Sequence, residues 1–406
     1  MSGAYTGLRV VDFTHVVAGP FCTRLLADHG ADVIKVEPYA GDVMRRLPAL
    51  YGGDLSSAFA QYNCGKRSIA VALKTAEGQD LARRLCGWAD VVVENFGVGT
   101  LDRLGLGYET LISDNPTVIL CSISSFGSNG PYSNIAGFGL VAEAYSGLMM
   151  LAADEGQMPK HFGTPLADMT SGVHAFGAIG AALYRKAQTG LGTHIDISCF
   201  DSLVSMIDEA LIIEAFTDGR EQFTHYGSYH PTSVPSGIVS AANGEYVTYG
   251  SVGDVFFRRL ATAISRPDLP DDPRFATSDA RARNHLELYP IVSEWANRQP
   301  DAESVVNCFG EHGIPSARIR SHHDVVNDPH LIARGSLAPL DVPEVGRVLV
   351  QTAPHPMTGA DVLPRSAPPH IGEHTSEVLE TVLALDRSSV QQLIAKDVVR
   401  TWTKES

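Results

Sequence analysis

Short apolar runs alternate with stretches of helical periodicity through roughly the first 125 residues of the chain. The runs are rich in Val, Ile and Leu and are typical of buried strands. They cover residues 8–13, 32–37, 68–73, 90–95 and 117–124. The segments 21–29 and 75–86 predict helices, and Gly30 follows the first as a C-cap. Strands alternating with helices indicate an α/β protein with a doubly wound parallel sheet.

The pattern beyond residue 160 predicts longer helices. A helix rich in Gly and Ala is expected over 168–186, opened by Asp168, and a strand over 194–198. A long helix is expected over about 202–216, after which the sequence becomes polar and turn-rich.

The rest of the chain predicts a second, smaller α+β domain and a C-terminal extension. Strands near 245–250 and helices near 254–264 and 285–297 belong to the smaller domain. Residues 339–369 hold seven of the 23 prolines and predict an extended strap, because proline limits helix and central strand. A final helix pair is expected at 375–384 and 387–396. The predicted divisions are a large domain at 1–220, a small α+β domain at 225–325, and a strap with C-terminal helices at 326–406.

Composition indicates an ordinary globular protein. Of 406 residues, 44% are hydrophobic and 19% charged, which excludes disorder, collagen and coiled coil. The N-terminus lacks the features of a signal peptide and no run is long enough to span a membrane, so a cytoplasmic location is expected. The net charge of −15 argues against a nucleic-acid or membrane partner.

The common cofactor and metal motifs are missing from the sequence. The turn after the first strand reads THVVAGPFC (14–22), with a single glycine instead of G-x-G-x-x-G. None of the six cysteines forms a C-x-x-C pair, so reduced and mostly buried thiols are expected. His370, Glu373 and His374 match H-x-x-E-H in letters, but Pro369 and Gly372 argue against a continuous helix. We therefore expect a loop leading into a helix with Thr375 as its N-cap, and no bound metal.

Asp168 has two compatible interpretations. As an N-cap, its carboxylate would accept backbone N–H bonds. As a reactive group, it would use the N–H groups and the dipole of the same helix end to stabilise charge on an attacked carbonyl. Gly172, Gly177 and Gly180 would let other backbone approach this helix closely.

Several basic residues occur in the first part of the chain despite the acidic total. They are either scattered solvated charges or a site for a polyanionic ligand with phosphates. These residues are Arg9, Lys35, Lys66, Arg67, Lys74 and Arg103.

Over nearly its whole length the chain resembles the class III CoA-transferase family, also called the CaiB–BaiF family. The resemblance rests on many motifs in register. They are GLRVVDFTHVVAGPF (7–21), LLADHGADVIKVEP (25–38), GD (41–42), NCGKRSIAVALKT (63–75), ADVVVENFGVGTLDRLGLGYETL (89–111), GPYSN (130–134), PLADMTSG (165–172), FRRLATAISRPDLPDDPRFAT (257–277) and GEHTSEVL (372–379).

The resemblance implies a Rossmann-like large domain and a smaller domain, in a homodimer of interlocked rings whose strap is the return crossing. It implies that CoA passes from an acyl-CoA donor to a carboxylic acid, with no cofactor beyond CoA itself. The family's nucleophilic Asp falls on Asp168. Its CoA contacts fall on Val17, Ala18, Val71, Ala72, Leu73, Lys74, Asn95, Phe96, Gly97 and Arg103. His15, Gly139 and His230 are candidate pocket residues, although both histidines are equally compatible with a structural role.

Three substitutions separate the chain from the formyl-CoA enzymes of this family. Val17 stands in place of a Gln, Pro38 in place of an Arg, and Gly139 in place of a Glu. Residues 225–237 replace a run of glycines. Oxalate and formate are therefore not the expected substrates, and the smaller residues at 17 and 139 suggest a bulkier acyl group or acceptor.

Two other functions are compatible with the same fold. A 2-methylacyl-CoA racemase or epimerase of this family pairs the Asp with a His, but Phe138 stands where that His is expected, and a phenyl ring cannot move a proton. An acyl-CoA-binding subunit without turnover would have no use for Asp168.

Overall fold

The helices and strands described below are those of a computed structural model. It describes residues 2–47, 50–52, 54–154, 156–207, 209–220, 227–230, 232–342 and 345–403. The strands are β1 (Arg9–Asp12), β2 (Asp32–Glu37), β3 (Leu50–Gly52), β4 (Leu55–Ser56), β5 (Arg67–Val71), β6 (Val91–Glu94), β7 (Ile119–Ser124), β8 (Thr193–Ser198), β9 (Gly237–Ser240), β10 (Tyr246–Tyr249), β11 (Ser316–Arg318), β12 (Leu337–Val342), β13 (Gly346–Gln351) and β14 (Val399–Arg400).

Most helices are short, and α8 is the longest. The helices are α1 (Ala18–Asp28), α2 (Ser57–Asn63), α3 (Ala76–Trp88), α4 (Thr100–Arg103), α5 (Tyr108–Asp114), α6 (Gly139–Tyr145), α7 (Leu148–Leu151), α8 (Leu166–Thr189), α9 (Cys199–Val204), α10 (Glu209–Thr217), α11 (Gly253–Ala263), α12 (Ser278–Arg283), α13 (His285–Ala296), α14 (Ala302–Glu311), α15 (His322–Val326), α16 (Pro329–Ala333), α17 (Thr375–Thr381) and α18 (Arg387–Ala395). Short 3₁₀ turns cover Val43–Arg46 and Leu269–Asp271. Within the described residues, no helix is both long and apolar enough to cross a membrane.

Contacts between residues group the chain into two units. The first comprises Met1–Ser146, Gly163–Met206 and Asp328–Ser406, and the second comprises Gly147–Phe162 and Ile207–Asn327. The domain limits drawn from the sequence stay a prediction. Against those limits, residues 147–162 and 207–220 group with the second unit instead of the first.

The first unit is built on a seven-stranded sheet in the order β14-β5-β2-β1-β6-β7-β8. Six neighbouring strands run parallel to one another, namely β5, β2, β1, β6, β7 and β8. At one edge of the sheet, β14 pairs antiparallel with β5. The sheet is the parallel α/β sheet that the apolar runs predicted. From β1 the chain adds β2 and β5 on one side, then β6, β7 and β8 on the other. The gap between β1 and β6 is therefore the point where the strand order reverses.

Apolar residues on both faces explain why these strands are buried. Val11 of β1 stands beside Ile34 of β2 and Val92 of β6, and all three pack in one core cluster with α3 and α17. Successive side chains of a strand point to opposite faces, so Val10 faces the other layer, where α1 contacts β1, β2 and β6.

The second unit has an antiparallel sheet in the order β11-β10-β9. Helices α11, α13 and α14 pack on it through an apolar core that includes Phe257, Val292 and Phe309. Its strands and helices include those expected near 245–250, 254–264 and 285–297.

Two sequence-based predictions of local structure are wrong, the helix over 202–216 and the N-cap Thr375, and the predicted strap contains a hairpin. The helix expected over 202–216 is two helices, α9 and α10, in different units, because an apolar periodic pattern does not reveal a short turn inside it. The expected strap begins with the antiparallel hairpin of β12 and β13, which accommodates Pro339. The N-cap of α17 is His374, and the Thr375 hydroxyl donates to the Arg400 carbonyl at 2.7 Å.

Candidate active site

A cavity of about 300 Å³ opens at the carboxyl ends of β1, β6 and β7 in the first unit. Open parallel sheets bind ligands at this edge, where the strand order reverses. The cavity brings together seven residues that the sequence analysis names. They are Asp168, the predicted CoA contacts Ala18, Asn95, Phe96 and Gly97, and the candidate pocket residues His15 and Gly139.

Asp168 lies in the first turn of α8 and does not cap it. The helix begins at Leu166, and Pro165, with no side-chain acceptor, occupies the N-cap position. Sequence analysis expected Asp168 to open the helix, but acidic residues are also favoured inside a first turn because of the helix dipole. Within the described residues the Asp168 carboxylate accepts no hydrogen bond, so it remains available for chemistry.

Burial, and then the nearby Glu143, raise the pKa of Asp168 to about 6. Two neighbouring glycines allow the carboxylate to sit where it does. A Cβ on Gly139 would overlap the Asp168 carboxyl group, and a Cβ on Gly172 would lie 2.7 Å from the Ala18 carbonyl of α1. Of the glycines expected to permit close backbone approach, only Gly172 does so: Gly177 meets open space and Gly180 faces a tyrosine hydroxyl.

The glycine at 139 therefore gives its space to Asp168 instead of leaving room for a bulkier substrate. The other small residue of that hypothesis, Val17, is buried in a cluster with Met44 and Phe59. The idea that positions 17 and 139 enlarge the pocket for a bulkier acyl group is accordingly not supported.

The side chain of Asn95 joins two walls of the cavity. Its Oδ1 accepts from the His15 N–H at 2.9 Å, and its Nδ2 donates to the His15 carbonyl at 2.8 Å. The His15 ring stacks on Phe96 with ring centroids 5.7 Å apart. The next residue, Val16, has a φ of +66°, which is costly for a β-branched side chain, and its N–H donates to Asp42 at 3.3 Å. The β1–α1 loop is thus held by hydrogen bonds at both His15 and Val16.

A cluster of buried charges lies beneath this loop. Lys66 Nζ is 2.9 Å from Asp12 Oδ2, and Lys35 Nζ is 3.1 Å from Asp42 Oδ2. Burial alone would raise the pKa of Asp12, but Lys66 and Lys35 outweigh it and hold that pKa at about 2. The pKa of Lys66 is lowered to about 8, mainly by burial.

This cluster corrects the phosphate-site hypothesis for most of the basic residues. Lys35 and Lys66 are fully buried in the ion pairs just described. Arg67 pairs with Asp32 at 2.6 Å and with Glu377 at 3.0 Å, and Arg9 pairs with Asp90 at 3.0 Å.

Two predicted CoA-contacting cations remain exposed, Lys74 and Arg103. Lys74 follows β5, and Arg103 ends α4, where it donates to the Thr100 hydroxyl at 2.7 Å. A second cavity, of about 350 Å³, shares His15 and Phe96 with the first and is also lined by Leu73. Ala72 and Leu73 are partly buried and Val71 lies in the sheet core. All these CoA contacts stay predictions.

His230 and the H-x-x-E-H segment have local partners. His230 lies in the second unit, where its Nδ1 accepts from the Ser233 N–H at 3.2 Å, and its assignment to the pocket stays a prediction. The His370 ring stacks on Trp402, and the His370 N–H donates to the Glu373 carboxylate at 2.8 Å. The described residues contain no group of three His, Cys, Asp or Glu side chains arranged for a metal ion.

Sequence reasoning missed Glu143 of α6. This residue is 2% exposed, and its Oε1 accepts from the Ala167 N–H at 3.3 Å, one residue before Asp168. The available signal was a single charge inside the apolar segment LVAEAY (140–145).

Comparison with known proteins places the chain in a family. The family model of CoA-transferase family III matches residues 5–375. The chain is 34% identical over 396 residues to succinyl-CoA–D-citramalate CoA-transferase of Chloroflexus aurantiacus, covering 97% of each chain. It is 32% identical to human succinyl-CoA:glutarate CoA-transferase, covering 97% of this chain and 89% of that one.

A solved structure shares the fold. The crystal structure of a CAIB/BAIF family protein from Brucella suis superimposes with a TM-score of 0.82 at 33% identity, over 93% of this chain and 99% of that one. The chain therefore belongs to CoA-transferase family III, as the sequence motifs indicated, and it is a CoA-transferase.

Proposed function

We propose that the CoA transfer proceeds through covalent intermediates on Asp168. The observation that carries this proposal is a half-buried carboxylate without a hydrogen-bond partner among the described residues, facing the cavity at the switch point. A carboxylate is a weak nucleophile in water, and holding both reactants in place supplies about 7–11 kcal/mol of the barrier reduction.

The proposed sequence has four balanced steps. The Asp168 carboxylate attacks the donor thioester carbonyl, the C–S bond breaks, and CoA thiolate leaves behind a mixed anhydride. The thiolate attacks the aspartyl carbonyl and releases the donor acid, which gives an aspartyl-CoA thioester. The acceptor carboxylate attacks that thioester and expels the thiolate again. The thiolate then attacks the acceptor carbonyl of the new anhydride, so that a new acyl-CoA leaves and Asp168 is free.

For the CoA itself, we infer a path along the carboxyl ends of the strands. The exposed Lys74 and Arg103 suit the phosphates of the nucleotide end, because they are the basic residues of the predicted set without an ion-pair partner among the described residues. The second cavity is lined by Leu73, next to Lys74 in the chain, and it shares His15 and Phe96 with the Asp168 cavity. The pantetheine arm would therefore pass there.

For the substrates, we infer succinyl-CoA as a donor and a dicarboxylic acid as the acceptor. This inference rests on relatives named for succinyl-CoA with citramalate, glutarate and mesaconate. Among the described residues that line the Asp168 cavity, the only side chain able to carry a positive charge is His15. Because burial lowers the pKa of His15, it would contact the second carboxylate as a neutral hydrogen-bond donor.

We propose a cytoplasmic interlocked homodimer as the working form. Each unit on its own exposes large apolar side chains, such as Phe138 and Tyr184 in the first and Phe216 in the second. Such surfaces are typical of permanent interfaces. The cysteines are unpaired, which suits a reducing compartment.

Mass spectrometry of the intact protein after incubation with a panel of acyl-CoA thioesters, including succinyl-CoA, tests the proposal. A CoA adduct that maps to Asp168 is the expected result, with Asp168→Asn as the matched control. Borohydride should reduce that thioester to an alcohol at position 168 and release the CoA thiol, which leaves a stable mass change at the same residue. Deuterium uptake at the acyl α-carbon without an adduct would instead favour the racemase, for which Phe138 offers no base. A protein that binds CoA but shows neither signal with any thioester would contradict transfer through Asp168.

A further inference from the structure

Glu143 lies next to the start of α8 and is almost completely buried. Its carboxylate contacts the helix through the Ala167 N–H, at 3.3 Å, and Ala167 itself is fully buried. No cation pairs with Glu143 among the described residues. Burying a carboxylate without a paired cation is costly unless hydrogen bonds compensate for the lost water, and the Ala167 N–H supplies one.

The first turn of α8 shows one such use. The first N–H groups of a helix have no partner within the helix, and Pro165 at the N-cap has no side chain that can accept from them. Glu143 accepts from one of them across the gap between α6 and α8. The neighbouring Asp168 carboxylate is therefore not needed as a cap.

The charge of Glu143 is a second effect. Glu143 contacts the residue before Asp168 and, after burial, is the second cause that raises the pKa of Asp168, because like charges oppose each other's ionisation. When Asp168 attacks a thioester, its own charge disappears into the anhydride, and the repulsion from Glu143 is relieved. The repulsion therefore destabilises the free Asp168 carboxylate and does not destabilise the acylated form.

We propose that Glu143 is a positioning residue of the transfer reaction, which holds the first turn of α8 and whose negative charge favours the acylated form of Asp168 over the free carboxylate. This inference rests on the proposed role of Asp168 as the nucleophile.

Other titratable groups around Asp168 do not interfere over the relevant pH range. Burial first, and then Asp168, raise the pKa of Tyr62, and burial raises the pKa of Cys199 to about 12, so both stay neutral. Across the cavity, burial lowers the pKa of His15. With its pKa near 6, Asp168 is about tenfold more ionised than neutral at about pH 7 and still more basic than an ordinary aspartate.

Glu143→Gln is the decisive variant, because it keeps the acceptor for Ala167 and removes the charge. The Asp168 carboxyl should be titrated by ¹³C NMR in ligand-free protein, assigned with Asp168→Asn, and we expect its midpoint to move to lower pH. Acylation by succinyl-CoA should be followed in single turnovers by quenched mass spectrometry. Above the midpoint we expect acylation of Glu143→Gln to be about threefold slower than that of the wild type if the Asp168 carboxylate becomes about tenfold less basic. This ratio assumes a Brønsted coefficient near 0.5, as for thiolates.

Below the titration midpoint of the wild type, Glu143→Gln should be acylated faster than the wild type. The Asp168 carboxylate of the variant stays ionised at a pH where that of the wild type is protonated. A purely structural role would not produce that crossover. Glu143→Asp supplies the complement: it weakens the Ala167 contact, keeps the charge, and should leave the titration of Asp168 close to that of the wild type. The two variants together show whether charge or contact is responsible.

An unchanged Asp168 midpoint in Glu143→Gln would overturn the inference. If Glu143→Gln does not fold, a midpoint in Glu143→Asp as low as that of an ordinary aspartate would overturn it as well. A wild type that no acyl-CoA acylates would overturn the proposed function of Asp168, while the NMR titration would still decide whether Glu143 acts on that carboxyl.

Discussion

Two carboxylates of the first unit, one fully buried and one half-buried, have opposite environments. Asp12, at the end of β1, is fully buried and accepts hydrogen bonds from Lys66, from the Thr14 N–H at 2.8 Å and from the Thr23 hydroxyl at 2.7 Å. Asp168, in the first turn of α8, has no cation and no hydrogen-bond donor among the described residues. The pKa of Asp12 is held at about 2, whereas that of Asp168 is raised to about 6.

The contrast separates a structural charge from a reactive one. A buried ion pair with all its hydrogen bonds made is stable against protonation, and it does not react because its lone pairs are occupied. A buried carboxylate with none made is costly and basic, which is what a nucleophile needs. The same reasoning argues against phosphate binding by the lysines beneath the site, because Asp12 and Asp42 already neutralise their charge.

The largest effect is expected at Asp168 itself. Asp168→Asn removes the nucleophile and leaves the volume of the side chain unchanged, so turnover with succinyl-CoA should fall by about 10³-fold or more. CoA binding, measured by calorimetry, should change little. Turnover within about tenfold of the wild type would contradict a covalent role.

Breaking the structural pair should instead damage the fold. Lys66→Met leaves Asp12 buried and unpaired, and the free energy of unfolding measured in urea should drop by about 3–5 kcal/mol. The double variant Asp12→Asn with Lys66→Met restores a neutral interior and should lose less than the sum of the two single changes. Losses that simply add would mean that the two groups do not depend on each other.

The two carboxylates should also give opposite dependence of stability on pH. Because the folded-state pKa of Asp168 is raised above the unfolded value of 3.8, its contribution is fully present below that value and is lost as the pH rises through about 6. The lowered pKa of Asp12 means that its contribution is present above 3.8 and is lost as the pH falls toward about 2.

Urea denaturation of the wild type and of Asp168→Asn at a series of pH values checks this sign. Between about pH 4 and 6, the stability of the wild type relative to the variant should fall by roughly 3 kcal/mol, the equivalent of a shift of about two pKa units. A difference that does not vary with pH would show that the pKa of Asp168 is ordinary.

The environments of these two residues also mark what sequence reasoning can reach. The strands were predictable because buried apolar runs depend only on neighbouring residues, and β2 lies where its run predicted. The burial of Lys35 and Lys66 could not be predicted from the sequence. Lys66 is buried because it pairs with Asp12, which is 54 residues away in the chain. Glu143 was missed for the same reason: the residue it contacts, Ala167, is 24 positions away.

The smallest of these effects is expected at Asn95, which links the two regions of the comparison. Its side chain makes two hydrogen bonds to the backbone of His15, on the loop that lies between the Asp12 cluster and the Asp168 cavity. Asn95→Ala removes both, and Asn95→Asp, which keeps one acceptor and loses the donor, is the matched control. We expect Asn95→Ala to lower the free energy of unfolding by about 1–2 kcal/mol, as two partly buried hydrogen bonds contribute.

The more informative readout of Asn95→Ala is the rate of acylation of Asp168. If the loop only lines the cavity, Asn95→Ala should be acylated as fast as the wild type at saturating succinyl-CoA, even where it binds succinyl-CoA more weakly. If the loop positions the thioester, the rate at saturation should fall by about tenfold, because a small misplacement of a reactant is costly. We expect the second result, since both hydrogen bonds hold the backbone of His15, whose ring stacks on Phe96 in the wall of the cavity. An unchanged rate of acylation at saturating succinyl-CoA would show that Asn95 contributes only to stability. The Asp12 cluster and the Asp168 cavity would then be independent of each other.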